Sequence, residues 1–263
     1  MPRRKQPRWL QPRAIEIQYY RQLQTLIEAI RQSVADNLDY VPGLPERFDD
    51  DTDDFISRLR TAVMPVYQAT IGKLSMYFAD TSRFNWTQWR KQVKAGAQYE
   101  LPTVAPFDEQ GISTLADNWA KANVALINDL TESVYTSIEH LIRNEAMRGI
   151  SKSSLKQKIL ELGIPSGRFK SADTRAELIA TDQILKANSA LAEQRMENAG
   201  VDYYIWRGVM DSRERPEHRS LEGTRHKRGS DVNGEGPPGS KYRCRCHAEP
   251  DFTGSVFDLE RDD

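Results

Sequence analysis

The chain has 263 residues, with 37 Lys and Arg against 38 Asp and Glu, a net charge of −1. Five Trp, ten Tyr and eight Phe exclude a wholly disordered chain, because such chains lack aromatics and carry a strong net charge. No stretch approaches the ~20 apolar residues needed to span a bilayer, and the basic start MPRRKQPRWLQPR is followed by no apolar segment of the kind a secretory signal needs.

Residues 1–12 read as a basic flexible arm; Arg3, Arg4, Lys5 and Arg8, with Arg13 just beyond, are candidates for contact with nucleic-acid phosphates. A helix is expected over 13–38, where Ile15, Tyr19, Leu23, Leu26, Ile27, Ile30 and Val34 recur at steps of three and four. VPGLPE (41–46) breaks it, and five acids follow in 49–54. A second helical stretch runs from Asp53 to Ala79, with a kink or a break expected at Pro65. Residues 81–107 carry no single pattern. The clearest helix spans 114–148, with Trp119, Ala122, Leu126, Leu130, Val134, Ile138, Leu141 and Ile142 on one stripe and Gly149 as its C-terminal cap. A short helix follows over 154–162, with Ser151 or Ser153 as cap. Thr174 and Glu177 fit a capping box that opens a helix running to Ala199.

The texture changes after Gly200. VDYYIWRGVM (201–210) reads as a strand. Turn residues then dominate, and a last short strand is expected over Tyr242–His247. The fold class is therefore α+β, mostly α: a long-helix N-terminal region and a small, loop-rich C-terminal module. The expected division is an arm (1–12), a helical domain (13–150), the module (151–250) and an acidic tail (251–263).

The familiar phosphate-loop, dinucleotide, nucleophile-elbow and H-E-x-x-H signatures are absent. Chemistry-bearing residues concentrate in DSRERPEHRSLEG (211–223) and GPPGSKYRCRCH (236–247). His218, Cys244 and Cys246 are candidate zinc ligands, because imidazole and thiolates suit that ion. Both cysteines share a face in an extended strand, and His247 then points away. The plain alternative is that the cysteines are small buried hydrophobes in a reducing setting and His218 a hydrogen-bonded core residue. Asp211, Glu214, Glu217 and His218 are the right types for acid–base work in a metal-dependent nuclease-like enzyme. Arg213, Arg215, Arg219, Arg225, Lys227, Arg228, Arg243 and Arg245 offer a phosphate-binding face, interleaved with acids.

The order of RAELIA (175–180), Asn188, GVDYYIW (200–206), Asp211, Arg213, His218, Leu221, Gly223, Pro237, Pro238, Gly239 and the C-R-C of Cys244, Arg245 and Cys246 resembles the Mu F-like family of phage head morphogenesis, or minor capsid, proteins. Trp206, Asp211, Arg213, His218, Gly223, Pro237, Pro238, Cys244, Arg245 and Cys246 are the residues that define the module under this resemblance. The resemblance implies that many relatives carry Cys where Arg215 stands, and some carry Cys in place of His218, so one candidate ligand is missing here. The resemblance implies a structural rather than catalytic protein inside the phage head near the portal vertex, assembled in the host cytoplasm. It implies a role in procapsid assembly and DNA packaging or delivery. The implied partners are the portal protein, other head proteins and packaged double-stranded DNA, with no membrane and no required cofactor. Asp211, Arg213 and Arg245 are expected to form a buried or half-buried polar knot, which must be fully hydrogen-bonded to be stable.

Overall fold

The computed structural model describes residues 6–42, 48–106, 108–162 and 168–259. The elements run α1 (Arg13–Asp36), α2 (Phe48–Gly72), α3 (Leu74–Gly96), α4 (Ile112–Met147), α5 (Lys152–Leu162), α6 (Arg168–Asn198), β1 (Tyr203–Arg207), α7 (Pro216–Leu221), β2 (Arg225–Lys227), β3 (His247–Asp251) and α8 (Val256–Leu259). The fold is mostly helical with one three-stranded antiparallel sheet in the order β2-β1-β3. No helix among the described residues is long and apolar enough to cross a membrane.

The chain forms two compact units, one of residues 17–74 and 121–180, the other of 1–16, 75–120 and 181–263. Each gathers separated stretches, whereas the sequence pattern suggested contiguous domains meeting near residue 150. In the first unit, the α1 positions from Tyr19 to Val34 expected on one stripe are all buried. The stripe on α4 shifts from the expected one: Asn123 and Ile127 are buried where Ala122 and Leu126 were expected. Asn123 enters the core because its Oδ1 accepts a 2.8 Å hydrogen bond from the buried Tyr19 hydroxyl. The stripes of α1 and α4 are thus used inside the chain rather than left for a partner helix.

Several boundaries differ from expectation for local reasons. α2 passes through Pro65 without a break. Pro65 and Thr61 both lie on the exposed side, where the carbonyl that loses its amide donor faces solvent. The break falls instead at Lys73. α3 continues to Gly96 through the stretch that carried no pattern, burying Trp86, Trp89 and Val93. α6 starts at Arg168, so Thr174 lies inside the helix rather than at its start. Ser151 does cap α5, its Oγ accepting from the Ser154 amide at 3.2 Å. The break expected at 41–46 and the end of the short helix at Gly163 and Pro165 fall mostly outside the described residues.

In the second unit, β1 is central and buried at Tyr204, Ile205 and Trp206. Its register pairs Trp206 with Ala248 and Tyr204 with Pro250. Pro250 is tolerated because β3 is an edge strand. β3 begins at His247, after the C-R-C, not at Tyr242. The core gathers Trp86, Trp89, Tyr204, Trp206, Phe252 and Phe257 with both cysteines. The described part of the N-terminal arm is not free. Trp9 is buried and stacks on His247 with ring centroids 6.1 Å apart. Gln6 Nε2 donates to the Pro250 carbonyl at 2.8 Å. The acidic tail also starts as part of this fold: Phe252, Ser255 and Phe257 are buried. Burial of large aromatics outweighs the pull of nearby charges toward water.

A buried polar network spans the helices of this unit. The Arg195 side chain is 1% exposed and binds the Glu109 carboxylate through Nε (2.8 Å) and Nη2 (2.7 Å). Its Nη1 donates to Asn85 Oδ1 (2.5 Å) and the Ser82 carbonyl (3.3 Å), and Nη2 to Ser82 Oγ (3.0 Å). Asn85 Nδ2 in turn donates to the side chain and backbone of Asn188, at 2.9 and 2.7 Å.

Candidate functional site

The turn-rich segment folds around β1. Gly223 takes a left-handed φ of +77°, which lets its amide donate to the Trp206 carbonyl at 2.9 Å while the Trp206 amide donates to Thr224 at 2.9 Å. Pro216 occupies the first turn of α7, where a missing amide proton costs nothing. His218 therefore sits one turn into a rigid short helix, 1% exposed, with Trp206 edge-on against its ring at 5.3 Å.

The C-R-C is a shaped loop rather than a strand. Arg243 is left-handed (φ +53°), and its amide is held by Asp182 Oδ1 at 2.7 Å. The chain then turns Cys244 and Cys246 inward and Arg245 outward. Gln11 Nε2 fixes the Arg245 carbonyl at 2.8 Å. The Pro-Pro-Gly corner closes over this loop. Gly239 is left-handed (φ +88°), and a Cβ there would lie 2.7 Å from Ser189. Ser189 Oγ donates to the Pro238 carbonyl at 2.5 Å, and the Gly239 and Cys246 amides donate toward the Cys244 sulfur. Pro238 and Gly239 are buried and Pro237 is exposed.

The thiols meet at His218. Its Nδ1 lies 3.4 Å from each sulfur. Its Nε2 is 2.9 Å from Glu235 Oε2, a bond that lowers the Glu235 pKa. Cys246 hydrogen-bonds to Cys244 and draws its pKa down to about 6. The same bond, burial and the nearby Glu214 charge push Cys246 upward. Glu214 completes the cluster. Its Oε2 accepts from the Val209 and Met210 amides at 2.9 and 3.3 Å. Its Oε1 faces inward, 3.1 Å from Cys246 Sγ and 3.7 Å from His218 Nδ1. The ligand-type atoms of His218, Cys244 and Cys246 all lie within 4.8 Å of one another. His247 points away from them, toward Trp9, and burial pulls its pKa to about 3.

Beside this cluster stands the polar knot. Arg245 Nη1 and Nη2 reach Asp211 Oδ2 and Oδ1 at 2.7 Å each. Asp211 also accepts from the Arg213 amide (2.9 Å) and side chain (3.2 Å). The guanidinium of Arg245 holds the Asp211 carboxyl well below its usual range. Arg245 and Asp211 are half-buried, with side-chain exposures of 21% and 34%, whereas the Arg213 side chain is 73% exposed and lies at the rim of the knot.

The remaining basic residues do not make a face of one sign. Arg225 pairs with Asp251, Arg228 with Glu193, and Arg215 and Arg219 bind the carbonyls of Tyr242 and Asp211. At the N-terminus, Arg8 is exposed and Arg13 pairs with Glu16 at 2.7 Å. Arg3, Arg4 and Lys5 lie outside the described residues. Asp211 and Glu217 are not brought to His218 as a catalytic set. The sequence pattern did not single out Glu214 as a neighbour of Cys246, Glu235 as the partner of His218 or Asp182 as the holder of the Arg243 amide. The spacing of Glu214 four residues before His218, across the start of a proline-led helix, was the available signal.

Residues 136–249 match the sequence profile of the Phage Mu protein F like family. Through this region the chain is similar to that family. The Mu F-like region contains every motif residue from Trp206 to Cys246. An uncharacterized protein of Haemophilus influenzae (strain ATCC 51907 / DSM 11121 / KW20 / Rd) is 28% identical over 124 residues, which are 47% of this chain and 26% of that protein. The chain thus spans about a quarter of that relative's length. No solved structure matches the chain. The Mu F-like family is one of phage head morphogenesis proteins.

Proposed function

We propose that this protein is a minor head protein that acts in procapsid assembly and in the packaging or delivery of DNA near the portal vertex. The observation that carries the reading is the Mu F-like match over residues 136–249. The cross-tied loop supports it. Asp211 and Arg245 lock each other, and Asp182, Gln11 and Ser189 fix the backbone around the cysteines. Such a surface is pre-organised for docking to a protein partner, with little ordering cost left to binding. The partners are the portal protein and other head proteins, and the location is the head interior or the portal vertex.

A structural role is favoured over a hydrolytic one by the neutralised Asp211, which has no room for a substrate proton while Arg245 holds both oxygens. Contact with packaged DNA is the lesser part of the reading, since Arg13 and most of the module's arginines already have carboxylate or carbonyl partners. The experiment is deletion of the gene from the phage that carries it, followed by a count of portal-bearing and DNA-filled heads. Loss of filled heads, restored by the wild-type chain in trans, supports the reading. Normal filled heads in normal number overturn it.

A further inference from the structure

Four buried side chains, from the start of α7 and from the C-R-C loop, lie close together. His218 Nδ1 lies 3.4 Å from each of Cys244 Sγ and Cys246 Sγ and 3.7 Å from Glu214 Oε1. Cys246 Sγ lies 3.1 Å from the same oxygen. Around a tetrahedral zinc ion with Zn–S near 2.3 Å and Zn–N or Zn–O near 2.0–2.1 Å, neighbouring ligand atoms are about 3.3–3.8 Å apart, the two sulfurs farthest. The four spacings of 3.1–3.7 Å lie close to that range, and the two sulfurs lie within 4.8 Å of each other.

The electrostatics ask for a cation. The Glu214 side chain is 5% exposed, and the nearby Arg245 guanidinium, which acts on it electrostatically, is engaged by both oxygens of Asp211. A buried carboxylate is stabilised further by a cation at close range. Its Oε2 is held by two backbone amides, which leaves Oε1 aimed into the cluster. His218 is oriented from behind, because Nε2 is engaged by Glu235 at 2.9 Å and Nδ1 is thereby presented as the free lone pair. A carboxylate behind the far nitrogen is the usual support of a metal-binding histidine.

We propose that Glu214, His218, Cys244 and Cys246 bind one zinc ion, with Glu235 as the positioning residue behind His218. Two thiolates and an imidazole select a soft or borderline cation and disfavour magnesium and calcium. Four protein ligands leave no open position, so the ion is structural: it clamps the start of α7 to the C-R-C loop.

The test uses the full chain, purified under reducing conditions, and metal content is measured after removal of loosely held ions. One zinc per chain is expected. Cobalt alone, titrated into metal-stripped wild-type protein, should give a thiolate-to-cobalt charge-transfer band and the strong visible bands of four-coordination. The band should weaken in Cys244→Ser and Cys246→Ser. Glu235→Gln, which keeps the fold, should lower zinc affinity about 10–100-fold. Glu214→Gln should also lower affinity and alter the visible cobalt bands. No charge-transfer band in the wild-type titration overturns the site outright, independently of whether any variant folds. Cobalt bands unaffected by Glu214→Gln overturn the fourth ligand.

Discussion

Replacing Arg195 by Met keeps most of the apolar stem and removes a guanidinium whose partners are all buried or half-buried. Glu109, 9% exposed, loses both of its guanidinium hydrogen bonds. Asn85 Oδ1 and the Ser82 oxygens lose their donors as well. Breaking a buried ion pair from one side costs about 3–5 kcal/mol, because the surviving charge is left desolvated and alone. For a chain of this size that corresponds to a fall in melting temperature of roughly 6–20 °C. Removing the carboxylate too, in Arg195→Met with Glu109→Leu, relieves the unpaired charge but not the orphaned Asn85 and Ser82 oxygens, worth about 1–3 kcal/mol. The double variant should therefore be more stable than Arg195→Met alone by at least about 1 kcal/mol, a coupling that independent sites do not show. Denaturant unfolding followed by tryptophan fluorescence reads this directly, since Trp86 lies 5.3 Å from the guanidinium. A cost below about 1 kcal/mol for the single variant, or strict additivity in the double, would refute the reasoning.

Three other outcomes follow from the same kind of accounting. Trp9→Ala should cost about 3–5 kcal/mol and release the start of the chain to limited proteolysis; a wild-type digestion pattern would mean that the Trp9–His247 stack does not anchor it. Gly239→Ala should lower the melting temperature by an amount equivalent to about 1–3 kcal/mol, since it adds left-handed strain to a 2.7 Å clash with Ser189; an unchanged melting temperature would show that the Pro-Pro-Gly corner is loose. Glu16 has its pKa raised from the ordinary 4.5 by burial, against the pull of Arg13. The folded state holds that proton more tightly than the unfolded state, so this contribution is full below pH 4.5 and is lost as pH rises through the raised value. Glu16→Gln should flatten that decline in a pH series of unfolding midpoints; an identical slope would assign the decline to other groups.

Much of the architecture was legible because one physical signal dominated locally. The three-four spacing on α1, the β-branched and aromatic run at Trp206 and the turn residues after it each had one reading. What was missed had competing signals. Residues 81–96 hide a helix because their buried face mixes Trp86, Trp89 and Val93 with Asn85, Gln88 and Gln92. Those polar side chains look solvated in sequence but serve the Arg195 network and the arm. The helix of residues 168–198 starts before its best capping pattern because Thr174 is only a local preference. At the site, His218, Cys244 and Cys246 were legible as residue types. Glu214 was legible as an acid near His218 but not as a neighbour of the cysteines, because only the turn at Met210 and the rigid start of α7 bring its carboxylate beside a sulfur 32 residues away. The basic arm looked free because charge counts say nothing about where Trp9 is buried.

The most direct test of the account is quantitative mass spectrometry of purified DNA-filled heads from the phage that encodes this chain. The account predicts that the chain is present in a few copies per head and co-purifies with the portal when heads are disrupted. Its absence from both procapsids and filled heads would contradict the assignment.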